Sequence, residues 1–309
     1  FGDMNASAHS QSMRDKGINE RFFSRAGDLR RGGFIEGEGG GTVLLARGDL
    51  AIELGLPVLG VVGFVQSFAD GIHTSIPAPG QGALAAARGG KNSRLARGLA
   101  ALGVDADDIK IVSKHDTSTN ANDPNEAELH MRLANALGRS AGNPLYVISQ
   151  KTLTGHAKGG AALFQMAGLT QIFSNGTIPG NKALDCLDPA FEEDTFLVWP
   201  RQPLKLDTVK AAVLTSLGFG HVAALVALVH PGAFEQAIAN SLGEDAASAW
   251  REQATARLGA GNRQLSAGMI GHAPLFEEID GRRFSGDAHE EEAAMLLDPE
   301  ARLGVDGNF

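Results

Sequence analysis

Apolar and polar positions along this chain alternate between two rhythms. Short unbroken apolar runs read as buried strands: TVLLA at 42–46, a run at 58–65, IKIVSKH ending on His115, and LYVISQK from Leu145. Between them the spacing turns helical. Residues 48–54 form one predicted helix, with Pro57 marking the break before the next strand. IPAPGQGALAAARGG reads as a loop leading into a helix. SRLARGLAALGV is a second helical stretch, with Gly103 as its stop. NEAELHMRLANALGR is amphipathic, with Leu129, Leu133, Ala136 and Leu137 on one face. GHAKGGAALFQMAGLTQIF is a helix rich in small apolar residues. AAVLTSLGFG and VAALVALVHP predict an antiparallel strand pair. Residues 1–33 read as loop with short helices. From Pro231 the pattern changes to an Ala/Glu-rich helix and an acidic tail. Strands alternating with helices predict a layered α/β domain over 1–232, and a C-terminal helical and acidic extension over 233–309.

One segment tests that reading. Residues 211–229 carry no Asp, Glu, Lys or Arg, which raises the question of a membrane span. Thr215, Ser216, Gly218, Gly220 and His221 interrupt its middle, and two buried strands turning at GFG explain it better.

Composition narrows the class. The 309 residues are 43% hydrophobic and 20% charged, a globular balance with enough chain for a sizeable core. The 40 glycines cluster near polar motifs, as tight strand-to-loop turns require. A net charge of −9 leaves no basic stripe to neutralise phosphates, which argues against nucleic acid as a partner. The one cysteine, Cys186, permits no intrachain disulfide and fits a reducing cytoplasm. The chain starts on Phe with no initiator Met and no signal segment, and reads as part of a longer polypeptide.

Familiar site patterns are missing. There is no G-x-x-x-x-G-K-[ST] phosphate loop. GEGGG at 37–41 precedes a strand and opens no helix, so a dinucleotide site fails on context. HEEEA lacks the second histidine of a zinc protease, and the histidines show no ligand spacing. Ser118 sits near His115 without a nucleophile elbow.

What remains is a pair. His115 follows IKIVSK and His156 follows LYVISQKTLTG, and each is succeeded by small polar residues and then a helix. In a layered α/β fold parallel strand ends converge on one edge, so the two imidazoles can face one pocket. Lys151 lies five residues before His156, and Glu126 eleven after His115. A Lys151–Glu126 pair is expected to fix the loops and orient the histidines.

Four segments, in order, then carry a resemblance. HDTSTNANDPNE resembles the HGTST…E motif of β-ketoacyl-acyl carrier protein synthases. KTLTGHAKGGAA is similar to their K-x-x-x-GH-x-x-G-A motif, GGFIEGEGGGTVLL to their GEGAG strand, and TSLGFGH to their SFGFGG turn. FGDMNA, PAPGQG, GRSAGNPL and NGTIPGN look like the ketosynthase of fungal- and mycobacterial-type type I fatty acid synthases. GMIGHAPLFEE and LLDPEARL resemble the stretch that follows it.

The resemblance implies a thiolase-like αβαβα fold, incomplete here because the segment is the C-terminal portion. It implies decarboxylative condensation of an acyl chain with malonyl-acyl carrier protein. His115 and His156 would stabilise the enolate, and Lys151 would position the loop. Glu126, Thr117 and Thr119 would support them, and Phe219 would be the gating aromatic. No cofactor is bound by the segment itself, since the substrate rides on the phosphopantetheine of a carrier protein. The nucleophilic cysteine would lie upstream of Phe1. Cys186, in a loop after both histidines, has neither the position nor the helix N-terminus that lowers a thiol pKa. Implied partners are the upstream part of the synthase, the carrier protein, malonyl and acyl thioesters, and further copies as a dimer within a hexamer. Nucleic acid and membrane are not among them. A polyketide ketosynthase and a non-condensing chain-length-factor-like subunit are the alternatives; intact His115, Lys151 and His156 count against the second.

Four positions depart from the family pattern. Asp116 replaces a Gly; it is expected to accept a loop hydrogen bond or restrain the backbone, and its carboxylate so near His115 to raise that pKa. Gly32 stands for an Asp, Leu217 for a Phe and His221 for a Gly.

Overall fold

In the computed structural model, residues 6–70, 81–192, 196–218, 222–270 and 272 are described. The helices are α1 (Ser10–Asp15), α2 (Gly48–Glu53), α3 (Arg94–Ala100), α4 (Asn122–Leu137), α5 (Gln150–Thr154), α6 (Ala161–Asn175), α7 (Gly232–Leu242) and α8 (Glu244–Met269). The strands are β1 (Val61–Ala69), β2 (Ile109–Ser113), β3 (Leu145–Ile148), β4 (Thr177–Ile178), β5 (Leu197–Val198), β6 (Leu204–Lys205), β7 (Ala211–Gly218) and β8 (Val222–Val229). Residues up to 48 together with 58–247 form one compact unit; residues 49–57 together with those from 248 onward form another. In the second unit, the Trp250 indole donates to the Leu56 carbonyl at 3.2 Å.

The first unit is built on a six-stranded sheet, ordered β1-β8-β7-β2-β3-β5. β2 runs parallel to β3 and β7, and β3 to β5, while β7/β8 and β1/β8 are antiparallel. At its centre, in β2, β3 and most of β7, both faces are covered, which is why these strands read as unbroken apolar runs. Val213, Leu225 and Val147 face one apolar core with Leu95, Leu129 and Leu133 of α3 and α4. Their strand neighbours Leu214, Val226 and Ile148 face the other with Leu169, Ile172 and Phe173 of α6. That is the period-two alternation of a strand buried on both sides. Residues 211–218 and 222–229 are the expected hairpin strands, paired from Ala211↔Val229 to Gly218↔Val222. Among the described residues no helix is long and apolar enough to cross a membrane.

Three expectations shift. The first strand begins at Val61, because its register is set by full-length pairing with β8. Ala136 is exposed on α4; the buried stripe runs instead through Glu126, His130, Leu133, Ala134 and Leu137. TVLLA forms no strand, and Leu44 and Leu45 stand 83% and 73% exposed. A strand needs a neighbour to satisfy its amides and cover its side chains, and none pairs with this one among the described residues. Gly103 does end α3: at φ +70° it lets Val104 N–H reach back to the Leu99 carbonyl at 3.1 Å. The acidic tail lies outside the described residues.

Candidate active site

Parallel pairing of β2 and β3 brings two chain segments side by side at their C-terminal ends. β2 stops at Ser113, two residues short of His115, and Lys114 N–H continues the ladder to the Ile148 carbonyl at 3.2 Å. β3 stops at Ile148, and Ser149 then opens the short helix α5, so Lys151 rides on a helical turn and not on the predicted strand end. Past α5, His156 is held by a third segment. Its N–H donates to the Ile35 carbonyl at 2.8 Å, and its carbonyl accepts from Gly37 N–H at 3.1 Å. Only glycine fits there: a Cβ on Gly37 would meet the Thr154 carbonyl oxygen at 2.6 Å.

The two imidazoles meet edge to face, with ring centroids 5.2 Å apart and planes at 84°. Both are buried. Phe34 also packs against His156, edge to face, with ring centroids 4.8 Å apart. The Lys151 ammonium donates to His115 Nδ1 at 3.1 Å and also to the His115 carbonyl. Lys158 N–H donates to His156 Nδ1 at 3.1 Å. Each Nδ1 is therefore an acceptor, which places the ring proton of both histidines on Nε2.

Electrostatics keeps both rings neutral. Burial pushes the His115 pKa well below its ordinary value, then the Lys151 ammonium pushes it further, as would a proton on His156. His156 is lowered to about 4 by burial, then by Lys151 and Lys158, against a smaller opposing pull from Glu36. Lys151 itself is lowered to about 8 by burial, against the raising influence of Glu126, Asp116 and Asp123. The expected rise of His115 caused by Asp116 does not occur. That carboxylate is engaged elsewhere, by Lys114 Nζ at 2.6 Å and the Ser149 hydroxyl at 2.5 Å.

The expected Lys151–Glu126 ion pair is replaced by a division of labour. Glu126 accepts from the backbone N–H of His115 at 2.5 Å, of Asp116 at 2.9 Å, from Asn122 Nδ2 at 3.2 Å and from the Thr215 hydroxyl. Four donors occupy its oxygens, so the ammonium turns to His115 and feels Glu126 only through space. Thr117 and Thr119 brace the loop: their hydroxyl oxygens lie 3.0 Å apart, and Thr119 Oγ1 accepts Asn122 N–H at 3.1 Å at the start of α4. Phe219 and His221 lie outside the described residues. Cys186 is exposed, its backbone N–H bound to Asp28 Oδ2 at 2.9 Å.

His130 belongs to this network and was not anticipated. Thr215 spends its only proton on Glu126, so it must accept from His130 Nε2–H, 3.1 Å away. Burial, then Lys114, lowers His130 to about 3, partly opposed by Asp116. The signal was present: His130 is one helical turn from Glu126, on the same face of α4. Gln165 of α6 ties the strand ends behind the site, donating to the carbonyls of Ser113 at 2.9 Å, Lys114 at 3.0 Å and Thr215 at 3.2 Å.

Residues 59–185 match the family model described as beta-ketoacyl synthase, C-terminal domain. The chain is 34% identical to the fatty acid synthase alpha subunit stcJ of Emericella nidulans, over 100% of this chain and 19% of that protein. It is 32% identical to the alpha subunit hexA of Dothistroma septosporum, over 99% of this chain and 19% of that one. It thus spans about a fifth of these relatives. In fold it is similar to the noncanonical ketosynthase FabY from P. aeruginosa, with a TM-score of 0.74 and 24% identity over 89% of this chain and 42% of the other.

Proposed function

We propose, from the premise that this chain carries the C-terminal domain of a beta-ketoacyl synthase, that it is the histidine-bearing portion of a condensing enzyme of fatty acid synthesis. The observation that carries the reading is the paired Nε2–H donors of two neutral, buried histidines. When a malonyl thioester loses CO2, the electron pair of the breaking C–C bond moves into an enolate, and negative charge grows on the thioester oxygen. Two preorganised N–H donors in a dry site stabilise that charge as it forms. Neutral rings suit the task, because they donate without first binding a solvent proton. The enolate carbon then attacks an acyl thioester, and a cysteine thiolate leaves. That cysteine comes from another part of the synthase, since exposed Cys186 lies in a loop and opens no α-helix.

In this reading Lys151 holds His115 Nδ1 as an acceptor, and Glu126 holds the loop amides. Phe219 serves as the gate. The acyl and malonyl groups arrive on the phosphopantetheine of a carrier protein, in the cytoplasm. The upstream segment completes the second half of a layered αβαβα fold, and the whole assembles as an oligomer. The fatty acid reading is favoured over the polyketide one by the likeness to fatty acid synthase alpha subunits along the whole chain.

The test is His156→Ala in the complete synthase, assayed for condensation and for CO2 release from a malonyl thioester. Loss of one such donor costs about 3 kcal/mol, a fall of roughly 100-fold or more. Near-normal condensation in that variant would refute the assignment.

A further inference from the structure

Two charged residues flank His115, and neither reaches solvent. The Lys114 ammonium and the Asp116 carboxylate approach to 2.6 Å, both fully buried. Burying such a pair is costly and adds little to stability compared with apolar residues of similar size, so its presence asks for another reason.

The backbone supplies one. Asp116 has φ +40°, in the left-handed region that side chains with a Cβ enter reluctantly. Such a conformation persists only when its surroundings over-determine it. Three contacts do so here. Asp116 N–H donates to Glu126 at 2.9 Å, Oδ1 meets Lys114, and Oδ2 accepts the Ser149 hydroxyl at 2.5 Å. Ser149 occupies the N-cap position of α5, yet its side chain makes no capping bond and faces the histidine loop instead. Two residues on, Lys151 returns to His115 through both the carbonyl and the ring Nδ1. The contacts close a ring: His115 to Asp116, across to Ser149, along α5 to Lys151, and back to His115.

We propose that Asp116, anchored by Lys114, is a positioning residue that locks the His115 loop to the helix carrying Lys151. It fixes the direction in which His115 presents its Nε2–H. The inference rests on the condensing role proposed above. It replaces the conformational freedom of the glycine expected at this position with a charged tether.

The test compares Asp116→Asn and Asp116→Gly in the complete synthase, following CO2 release from a malonyl thioester across pH. Size-exclusion profile and melting temperature report folding. Asn tolerates the left-handed backbone and can still accept from Ser149, but offers Lys114 no charge. Gly takes the backbone freely and offers nothing. Both variants should lower kcat about tenfold or more with KM held within about twofold, the pattern of lost transition-state alignment. The alkaline limb should also move to lower pH. The groups acting on Lys151 are the carboxyls of Glu126, Asp116 and Asp123, which favour its charge, and the neighbouring imidazoles of His115 and His156. Without the Asp116 charge, Lys151 loses its proton below its present value of about 8. Asp123, raised to about 7 by burial and then by Asp116, is already mostly ionised there and cannot compensate. A Gly variant with kcat within about twofold of wild type and an unmoved limb overturns the proposal. So does failure of both variants to assemble, which would assign the pair to folding alone. The condensing role fails differently: then wild type releases no CO2, or His156→Ala releases it normally.

Discussion

Replacing Glu126 with Gln removes one charge and one acceptor oxygen at the point where four donors converge. In the native chain the carboxylate receives the amides of His115 and Asp116, the Asn122 side chain and the Thr215 hydroxyl. A Gln amide has one acceptor oxygen, and its NH2 must face either the His115 and Thr215 donors or the Asp116 and Asn122 donors. Two bonds to a charged acceptor are lost and two donors are left opposed. At about 1.5–3 kcal/mol per bond to a charged group, the local loss is about 3–6 kcal/mol. That compares with about 5–15 kcal/mol for the whole stability of a typical domain, so the histidine loop must rearrange. The assay is malonyl-thioester decarboxylation by the complete synthase, alongside thermal inactivation of the same activity. The expected outcome is a fall of about 100-fold or more in rate, with faster inactivation. A Gln variant within about threefold of wild type in both would show that the four bonds do not hold the loop, and the account of Glu126 would be withdrawn.

Acid should destabilise the first unit from below about pH 6.5. His115, His130 and His156 are all lowered, the last two to about 3 and about 4, so the unfolded chain takes up three protons that the native chain refuses. Asp123, raised to about 7, opposes this by holding one proton in the native state. The net two protons give a loss of roughly 3 kcal/mol per pH unit near pH 5. A melting temperature flat between pH 7 and pH 5 would contradict it. Cys186→Ser should leave condensation within about twofold of wild type, since the thiol is exposed and its one contact is with the carbonyl of the neighbouring Leu187 at 3.8 Å. Loss of the acyl-enzyme intermediate in that variant would make Cys186 the nucleophile.

Burial was legible in the pattern; partnership was not. The unbroken apolar runs at 211–218 and 222–229 predicted a hairpin because each strand's own side chains encode two covered faces. The histidine pair was legible because the segments leading to both begin as strands, and parallel strands end at one edge, although α5 comes between β3 and His156. TVLLA was equally strand-like, yet strand formation depends on a neighbour, and a run of apolar residues does not say whether its neighbour is at hand. Lys151 and Glu126 carry opposite charges, and charge alone predicted their pairing. What decided otherwise was the number of backbone amides competing for the carboxylate, which no side-chain pattern displays. His130 escaped notice because a histidine on an apolar face looks like packing until Thr215, from a distant strand, gives it something to donate to.

The clamp around the histidines also bears on when the site comes into being. Residues that close it are far apart along the chain: the Ser24 hydroxyl reaches the Lys151 carbonyl across 127 residues, and Arg25 N–H reaches Ser118 Oγ across 93. Contacts this distant carry the full entropy of loop closure before they return anything. During synthesis the N-terminal segment must wait, its partners unmade, until the strands and helices through α5 have emerged and set. The Thr215 hydroxyl reaches Glu126 across a further 89 residues, so the pocket is complete only once β7 has also taken its place.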